Sequence, residues 1–391
     1  MKNIIFTALF ATLSLITASA QNFDDIVSRL AAANPEISAL IKENNAVLES
    51  LKAENNLADP EIEGRSVWGS EGNKMGMGIS QSFDWPGLYR ARSEKIGASK
   101  IALSELYAQR FLDISQEIRL LAIDFIAAKR NYSYFLSVKQ NMDSLRSKYA
   151  EAYRRGEVSV LDLNKVKIEC LKVASRAEES RLRCESVRAQ IAAISTDRDA
   201  LALLDSLNDY PVEQILSEAE YEALIDRDPA LAYFTAMADV AQKDVKIANM
   251  QALPSFSLGY EFEREIGNNF HGFSVSMSLP FFSKRHKKEA AISEKAAYEA
   301  KFLSAKISAL SQMRDLRKQV CSLADRLQDF ADILDGNNHL VLLDKALKGG
   351  EINLFTFIQE VNYFIDAQCD YEQLAYQYHS SLAKLNRLRG V

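Results

Sequence analysis

Three landmarks of different kind recur at one spacing along this chain. Asn34-Pro35 returns as Asp228-Pro229, an offset of 228 − 34 = 194 residues. Pro60, ahead of an alternating segment, returns after the same interval as Pro254, and Gly156-Glu157-Val158 returns as Gly350-Glu351-Ile352. A 391-residue chain that repeats itself at half its length is a duplication, so it must fold as two copies of one plan. Each copy predicts a helix, two short strands, a very long helix, a tight glycine turn and a returning helix. The first helix runs from Pro35 to about Asn56 and its counterpart from Pro229 to about Gln251. The first repeat occupies 21–195 and the second 228–391. The 196–227 segment joins them, with Tyr210-Pro211 and a short helical pattern over Glu213–Ile225.

The long helices carry the strongest periodicity. Tyr107, Ile114, Leu121, Ala128, Phe135, Met142 and Tyr149 recur every seven residues, beside Phe111, Ile118, Phe125 and Tyr132. In the second copy Met313, Val320, Leu327, Leu334 and Val341 do the same, beside Phe302, Ala309, Leu316, Leu323 and Phe330. A sustained heptad imposes left-handed supercoiling on neighbouring helices. The chain has only 7 Pro, none within Leu88–Arg155 or Ser283–Lys348, so nothing interrupts either helix. At ~1.5 Å per residue each would be about 100 Å long, a length for crossing a distance. A plain filamentous coiled coil is disfavoured by the strands between the helices.

Four short segments alternate with period two. Phe256, Leu258, Tyr260 and Phe262 share one face, as do Phe273, Val275 and Met277, while Met75, Met77 and Ile79 alternate with Gly76, Gly78 and Ser80. The fourth is Glu61–Trp68, with Ile62 and Trp68 opposite Glu61, Glu63 and Arg65. Short polar loops, Ser70–Lys74 and Arg264–Asn269, join them in pairs. Strands of this length with one apolar face match a transmembrane barrel wall. A half-buried soluble sheet shows the same alternation, but no second sheet is available here to cover it. Four strands cannot close a barrel and open edges are not viable in lipid, so other copies of the chain must complete it. Met75 and Met77 could suggest a soft-metal site; their alternation with glycine favours lipid-facing side chains.

The start of the chain gives an address. Lys2, the apolar run Ile4–Ile16 and Ala18-Ser19-Ala20 read as a secretory signal peptide cleaved near Ala20. No later stretch offers ~18 consecutive apolar residues. A net charge of -6 argues against nucleic acid as a partner. The four Cys lack paired spacing, and Cys170 and Cys184, about 21 Å apart along a helix, cannot pair with each other. Cys170, Cys184, Cys321 and Cys369 read as small apolar residues. The four His form no HxH or HExxH arrangement, so no metal site and no cofactor is expected. Glu61 and Glu63 are close, but no base-orienting partner or phosphate loop accompanies them, and no enzyme is expected.

These features together resemble the TolC-type outer-membrane efflux proteins over nearly the whole mature chain. Gly78-Ile79-Ser80-Gln81-Ser82-Phe83-Asp84-Trp85-Pro86-Gly87 is similar to that family's strand-to-helix junction, and Ser278-Leu279-Pro280-Phe281-Phe282 to its second-copy counterpart. Tyr153-x-x-Gly156-Glu157-Val158-Ser159-Val160-Leu161-Asp162 resembles its periplasmic turn, echoed by Lys348-Gly349-Gly350-Glu351-Ile352-Asn353-Leu354. The resemblance implies a mainly α chain with a small β part. It implies a homotrimer with a twelve-stranded β-barrel in outer-membrane lipid and a periplasmic α-barrel of long helices. It implies a passive duct that docks a periplasmic adaptor and, through it, an inner-membrane transporter, with RND-type pumps favoured by the Trp85-Pro86 junction. Gly156, Glu157, Val158, Leu161, Gly350, Glu351, Ile352 and Leu354 would be docking tips. The family's acidic pore ring falls here on Thr356 and Gln359, which leaves Asp162 or the adjacent Glu360 as the acidic candidate. A periplasmic adaptor, or another structural coiled-coil protein of the envelope, is the alternative; an adaptor needs many more strands than this sequence offers.

Overall fold

A computed structural model describes residues 23–69, 72–265, 267–280, 286–334 and 339–390. The expected signal peptide and cleavage site near Ala20 lie outside the described residues, as do Phe281 and Phe282 of the second junction. The chain is mainly helical with one small antiparallel sheet. In order the elements are α1 (23–32), α2 (Pro35–Ala53), β1 (Glu61–Gly69), β2 (Gly72–Phe83), α3 (Pro86–Arg154) and α4 (Val160–Ile194). Then follow α5 (Arg198–Leu204), α6 (Glu218–Ile225), α7 (Pro229–Gln251), β3 (Ser255–Glu265), β4 (Asn268–Ser278), α8 (Lys287–Leu334), α9 (His339–Lys348) and α10 (Leu354–Leu385). A 3-10 turn, Arg387–Gly390, ends the described chain.

Three matching pairs begin 194 residues apart to the residue: α2 at Pro35 and α7 at Pro229, β1 at Glu61 and β3 at Ser255, α4 at Val160 and α10 at Leu354. Their caps match too. The Asn34 carboxamide accepts the Glu36 N–H at 2.6 Å, and the Asp228 carboxylate accepts the Ala230 N–H at 2.9 Å. In both, a proline whose missing N–H costs nothing opens the helix. The 69-residue α3 fulfils the expectation of an unbroken first long helix. The second is described as α8 and α9, with 335–338 between them outside the described residues.

The chain forms two compact units, and each draws on both repeats. Among the described residues, one comprises those of 23–38, 110–224 and 310–390, the other those of 39–109 and 225–309. In the first, the heptad positions Phe135 and Met142 of α3 are buried with Val138 and Leu145. They meet Val166, Cys170 and Val173 of α4 and Phe357, Val361 and Ile365 of α10. The second unit holds the sheet and a smaller core of Ala98, Ala102 and Val240, with Tyr233, Ala236 and Met237 against it.

The connecting segment departs from expectation. Helix α6 starts at Glu218, not Glu213, because Ser217 and Glu220 form a capping box there. The Ser217 N–H and hydroxyl donate to the Glu220 carboxylate at 2.8 and 2.7 Å, and the Glu220 N–H donates to Ser217 Oγ at 3.3 Å. Glu213 instead accepts from Arg119 at 3.0 Å and from Asn386 at 2.6 Å. Helix α5, unforeseen from sequence, is capped by the Asp197 carboxylate, which accepts from the Asp199 and Ala200 N–H groups. Cys170 is buried as expected, and its thiol donates to the Met142 carbonyl at 3.2 Å. Cys184, Cys321 and Cys369 are half-buried, and all four cysteines are free.

Candidate functional site

The sheet has the order β1-β2-β3-β4, antiparallel throughout. Residues directly opposite share a face, so register decides which side chains stand together. Met277 pairs Phe256, which pairs Phe83; Val275 pairs Leu258, which pairs Gln81. Phe273, Tyr260, Ile79 and Ile62 form the next row, and His271, Phe262, Met77 and Gly64 the one beyond. Asn269, Arg264, Met75 and Ser66 follow. All twelve apolar strand residues singled out from sequence, Ile62 and Trp68 included, therefore share one face. Most are exposed, Phe273 to 89%. Phe256 and Phe262 are half-buried, since Phe256 meets Trp85 at 6.0 Å and Phe262 meets His271 at 5.2 Å.

The two tryptophans stand at opposite ends of this band. Trp68, 76% exposed, pairs Asn73 at the hairpin end, while Trp85, 42% exposed, follows β2 at the helical end. Pro86 opens α3, and the Trp85 carbonyl accepts the Leu88 N–H at 2.8 Å. Asp84 anchors the junction through Arg92 at 3.1 Å. Pro280 is half-buried two residues past β4. The opposite face carries Glu61, Glu63 and Arg65, the glycines Gly76, Gly78, Gly259 and Gly272, the serines Ser80, Ser274 and Ser276, and Glu261 and Glu263. Small residues are required where the strands crowd: a Cβ on Gly259 would lie 2.6 Å from Ser274 Oγ and 3.2 Å from the Ile79 carbonyl oxygen.

The two helix reversals share one geometry. Gly156 has φ +75° and Gly350 φ +72°, the left-handed conformation that glycine adopts without a Cβ clash. The Glu157 N–H reaches the Ala152 carbonyl at 2.9 Å, and the Glu351 N–H reaches that of Ala346 at 3.0 Å, a Schellman stop in each copy. Ser159 then caps α4 and Asn353 caps α10. The Asp162 N–H donates to Ser159 Oγ at 3.1 Å, and the Ser159 hydroxyl donates back to the Asp162 carboxylate at 2.7 Å. That hydroxyl, with Lys165, holds the Asp162 carboxyl below the usual carboxylate range. Its counterpart Thr356 donates to the Asn353 carboxamide from both its N–H and its hydroxyl.

The proposed tip residues do not all stand free. Gly156, Glu157, Gly350, Glu351 and Leu161 are exposed, and Val158 is half-buried. Ile352 and Leu354 pack against the buried cluster of this unit. The outward apolar residues are instead Leu161, 68% exposed, and Phe355, 65% exposed, with Val160 beside them. Leu161 and Phe355 are also 194 residues apart, so the repeat itself identifies Phe355, which motif reading missed. Gln359 is exposed and Glu360 half-buried. No group of His, Cys, Asp and Glu among the described residues could hold a metal ion, and no described helix is long and apolar enough to cross a membrane.

This arrangement matches solved structures along almost its whole length. A membrane protein from Pseudomonas aeruginosa superposes with a TM-score of 0.77 at 13% identity, over 95% of this chain and 90% of that one. The Campylobacter jejuni CmeC outer membrane channel does so with 0.70 at 16% identity, over 94% and 85%. The outer membrane protein VceC of Vibrio cholerae gives 0.69 at 14% identity, over 94% of both chains. The chain has the outer-membrane channel fold. No protein-family model and no curated protein matches it.

Proposed function

We propose that this chain is the outer-membrane exit duct of a tripartite efflux or type I secretion pathway, working as a homotrimer. The observation that carries the reading is the sheet's exposed apolar face, bounded by a tryptophan at each end, with β1 and β4 left as open edges among the described residues. Eight residues separate Phe256 from Arg264, which is ~27 Å along the strand and ~21 Å of height at a ~40° tilt. That height suits the ~25 Å apolar band of outer-membrane barrels. Three copies supply the twelve strands that remove every edge. The glycine- and serine-rich face then lines a water-filled lumen.

Helical surfaces support the same closure. On α4, Leu161, Ile168 and Leu182 are exposed at multiples of seven residues with Leu171 beside them, and on α8 Ile292, Leu303 and Ile307 are exposed 11 and 4 residues apart, a spacing that also keeps one helix face. Apolar stripes of this kind belong against sibling helices. The reversals dock a periplasmic adaptor through Gly156, Glu157, Val158, Leu161, Gly350 and Glu351. Phe355 replaces Ile352 and Leu354 as the second apolar contact. Energy comes from an inner-membrane transporter, RND-type by the junction resemblance, and the chain itself performs no catalysis. The pore constriction lies near Asp162, Thr356, Gln359 and Glu360; because Asp162 is held within its own cap, Glu360 is the freer acidic group. The leader directs export, and the mature duct resides in the outer membrane and extends into the periplasm. Fractionating cells that express the chain and running the unboiled membrane extract tests this. A detergent-stable oligomer in the outer membrane is expected, and a soluble periplasmic monomer contradicts it.

A further inference from the structure

The apolar face of the sheet ends in a polar row at the hairpin end. Arg264, directly opposite Met75 and Asn269, is exposed and lies on the same face as Tyr260 and Phe262. No ion pair to Arg264 is present among the described residues, although acidic residues flank it on both sides. Period two sends Glu263 and Glu265 to the other face, where Glu265 meets Lys74 at 2.6 Å. One row inward, His271 is tied through Nδ1 to the Tyr260 hydroxyl at 2.6 Å, and Trp68 stands at the same end. A single cation thus sits where an apolar band gives way to tryptophan, histidine and asparagine. Its height matches a headgroup layer rather than the hydrocarbon core.

The hairpin end points away from the long helices along each strand, so in the proposed duct it faces the outer leaflet. The geometry points to Arg264, supported by Asn269 and His271, as a binding site for the phosphate groups of the phosphorylated glycolipid in that leaflet. Guanidinium suits phosphate because its planar donors match two oxygens at once. An unpaired arginine on a lipid-facing surface also needs an anion nearby to offset its desolvation. This inference rests on the proposed membrane placement of the sheet, but it fails separately.

The test uses the full-length oligomer purified in neutral detergent, with lipopolysaccharide and dephosphorylated lipopolysaccharide as probes and retained lipid counted by native mass spectrometry. Wild type should retain the phosphorylated form about fivefold more strongly, the size expected for one interfacial basic residue, and high salt should erase the difference. Arg264→Gln should remove the preference, Arg264→Lys should keep part of it, and Arg65→Gln on the opposite face should leave it unchanged. Equal retention of both probes by wild type, or an unchanged preference in Arg264→Gln, overturns the inference. In either case the oligomer on the unboiled gel, and with it the duct, would still stand.

Discussion

At the scale of single residues, the connecting segment is held by a half-buried polar cluster in the unit that carries the reversals. Glu372 of α10, 3% exposed, accepts two hydrogen bonds from Arg130 Nε and a third from Nη2, at 3.1–3.2 Å. Arg130 lies 5.5 Å from the Tyr210 ring centre, and Tyr210 stacks on His379 at 4.3 Å. Glu372→Ala would leave the guanidinium without its main partner. Because Arg130 keeps some solvent, the loss should be about 2 kcal/mol, below the range for fully buried pairs, and should appear as a lower Tm of the oligomer. Burial, then the nearby Arg130 charge, pushes the His379 pKa down from 6.5 to about 4. The folded state therefore resists a proton that the unfolded chain takes up below pH 6.5. His379 favours folding fully above pH 6.5, and that contribution is lost as pH falls toward 4, on the order of 2–3 kcal/mol. The Tm of His379→Phe should fall less between pH 7 and pH 4.5 than that of wild type; parallel curves would refute the linkage. Tyr210-Pro211 was visible in the sequence as punctuation. Its partners Arg130, Glu372 and His379 were not, because they come from distant helices with no common spacing.

At the scale of elements, the reversals depend on left-handed glycines with nothing within 4 Å of where a Cβ would stand. Substituting alanine therefore tests backbone strain alone. Gly156→Ala and Gly350→Ala should each cost roughly 1–2 kcal/mol, read as a lower Tm without loss of the oligomer. Tm values matching wild type would show that the turns tolerate the strain by rearranging. The long helices, the paired strands and both turns were legible because period, proline caps and glycine are local signals that recur at the 194-residue offset; the short helices α1 and α5 were not, since each is too short to show a period. The face on which Ile352 and Leu354 point was not. Both flank the Asn353 cap at the start of α10, and whether such residues face partner or core depends on how α10 packs on α3 and α4, which no local pattern encodes. His271 and Arg264 do not stand out in the sequence because they break the apolar alternation at its hairpin end, although period two places them on that face.

For the whole molecule, the proposed docking falls on the equivalent residues Leu161 and Phe355, which share exposure as well as position. Leu161→Asp with Phe355→Asp should abolish crosslinking to the adaptor while leaving the oligomer intact, since neither residue contributes to the buried cluster. Retained crosslinking would move the contact elsewhere on the turns. The central claim is that β1 of one copy pairs with β4 of the next. It is tested most directly by placing cysteines on the glycine- and serine-rich face, along β1 at Glu61, Glu63 or Arg65 and along β4 at Gly272, Ser274 or Ser276, oxidising intact cells, and running non-reducing gels. The account predicts a covalent ladder that stops at three chains for at least one pair and is absent from the wild type with its native cysteines. A cysteine-paired chain that remains monomeric at every pairing, in cells where the protein is abundant in the outer membrane, would contradict it.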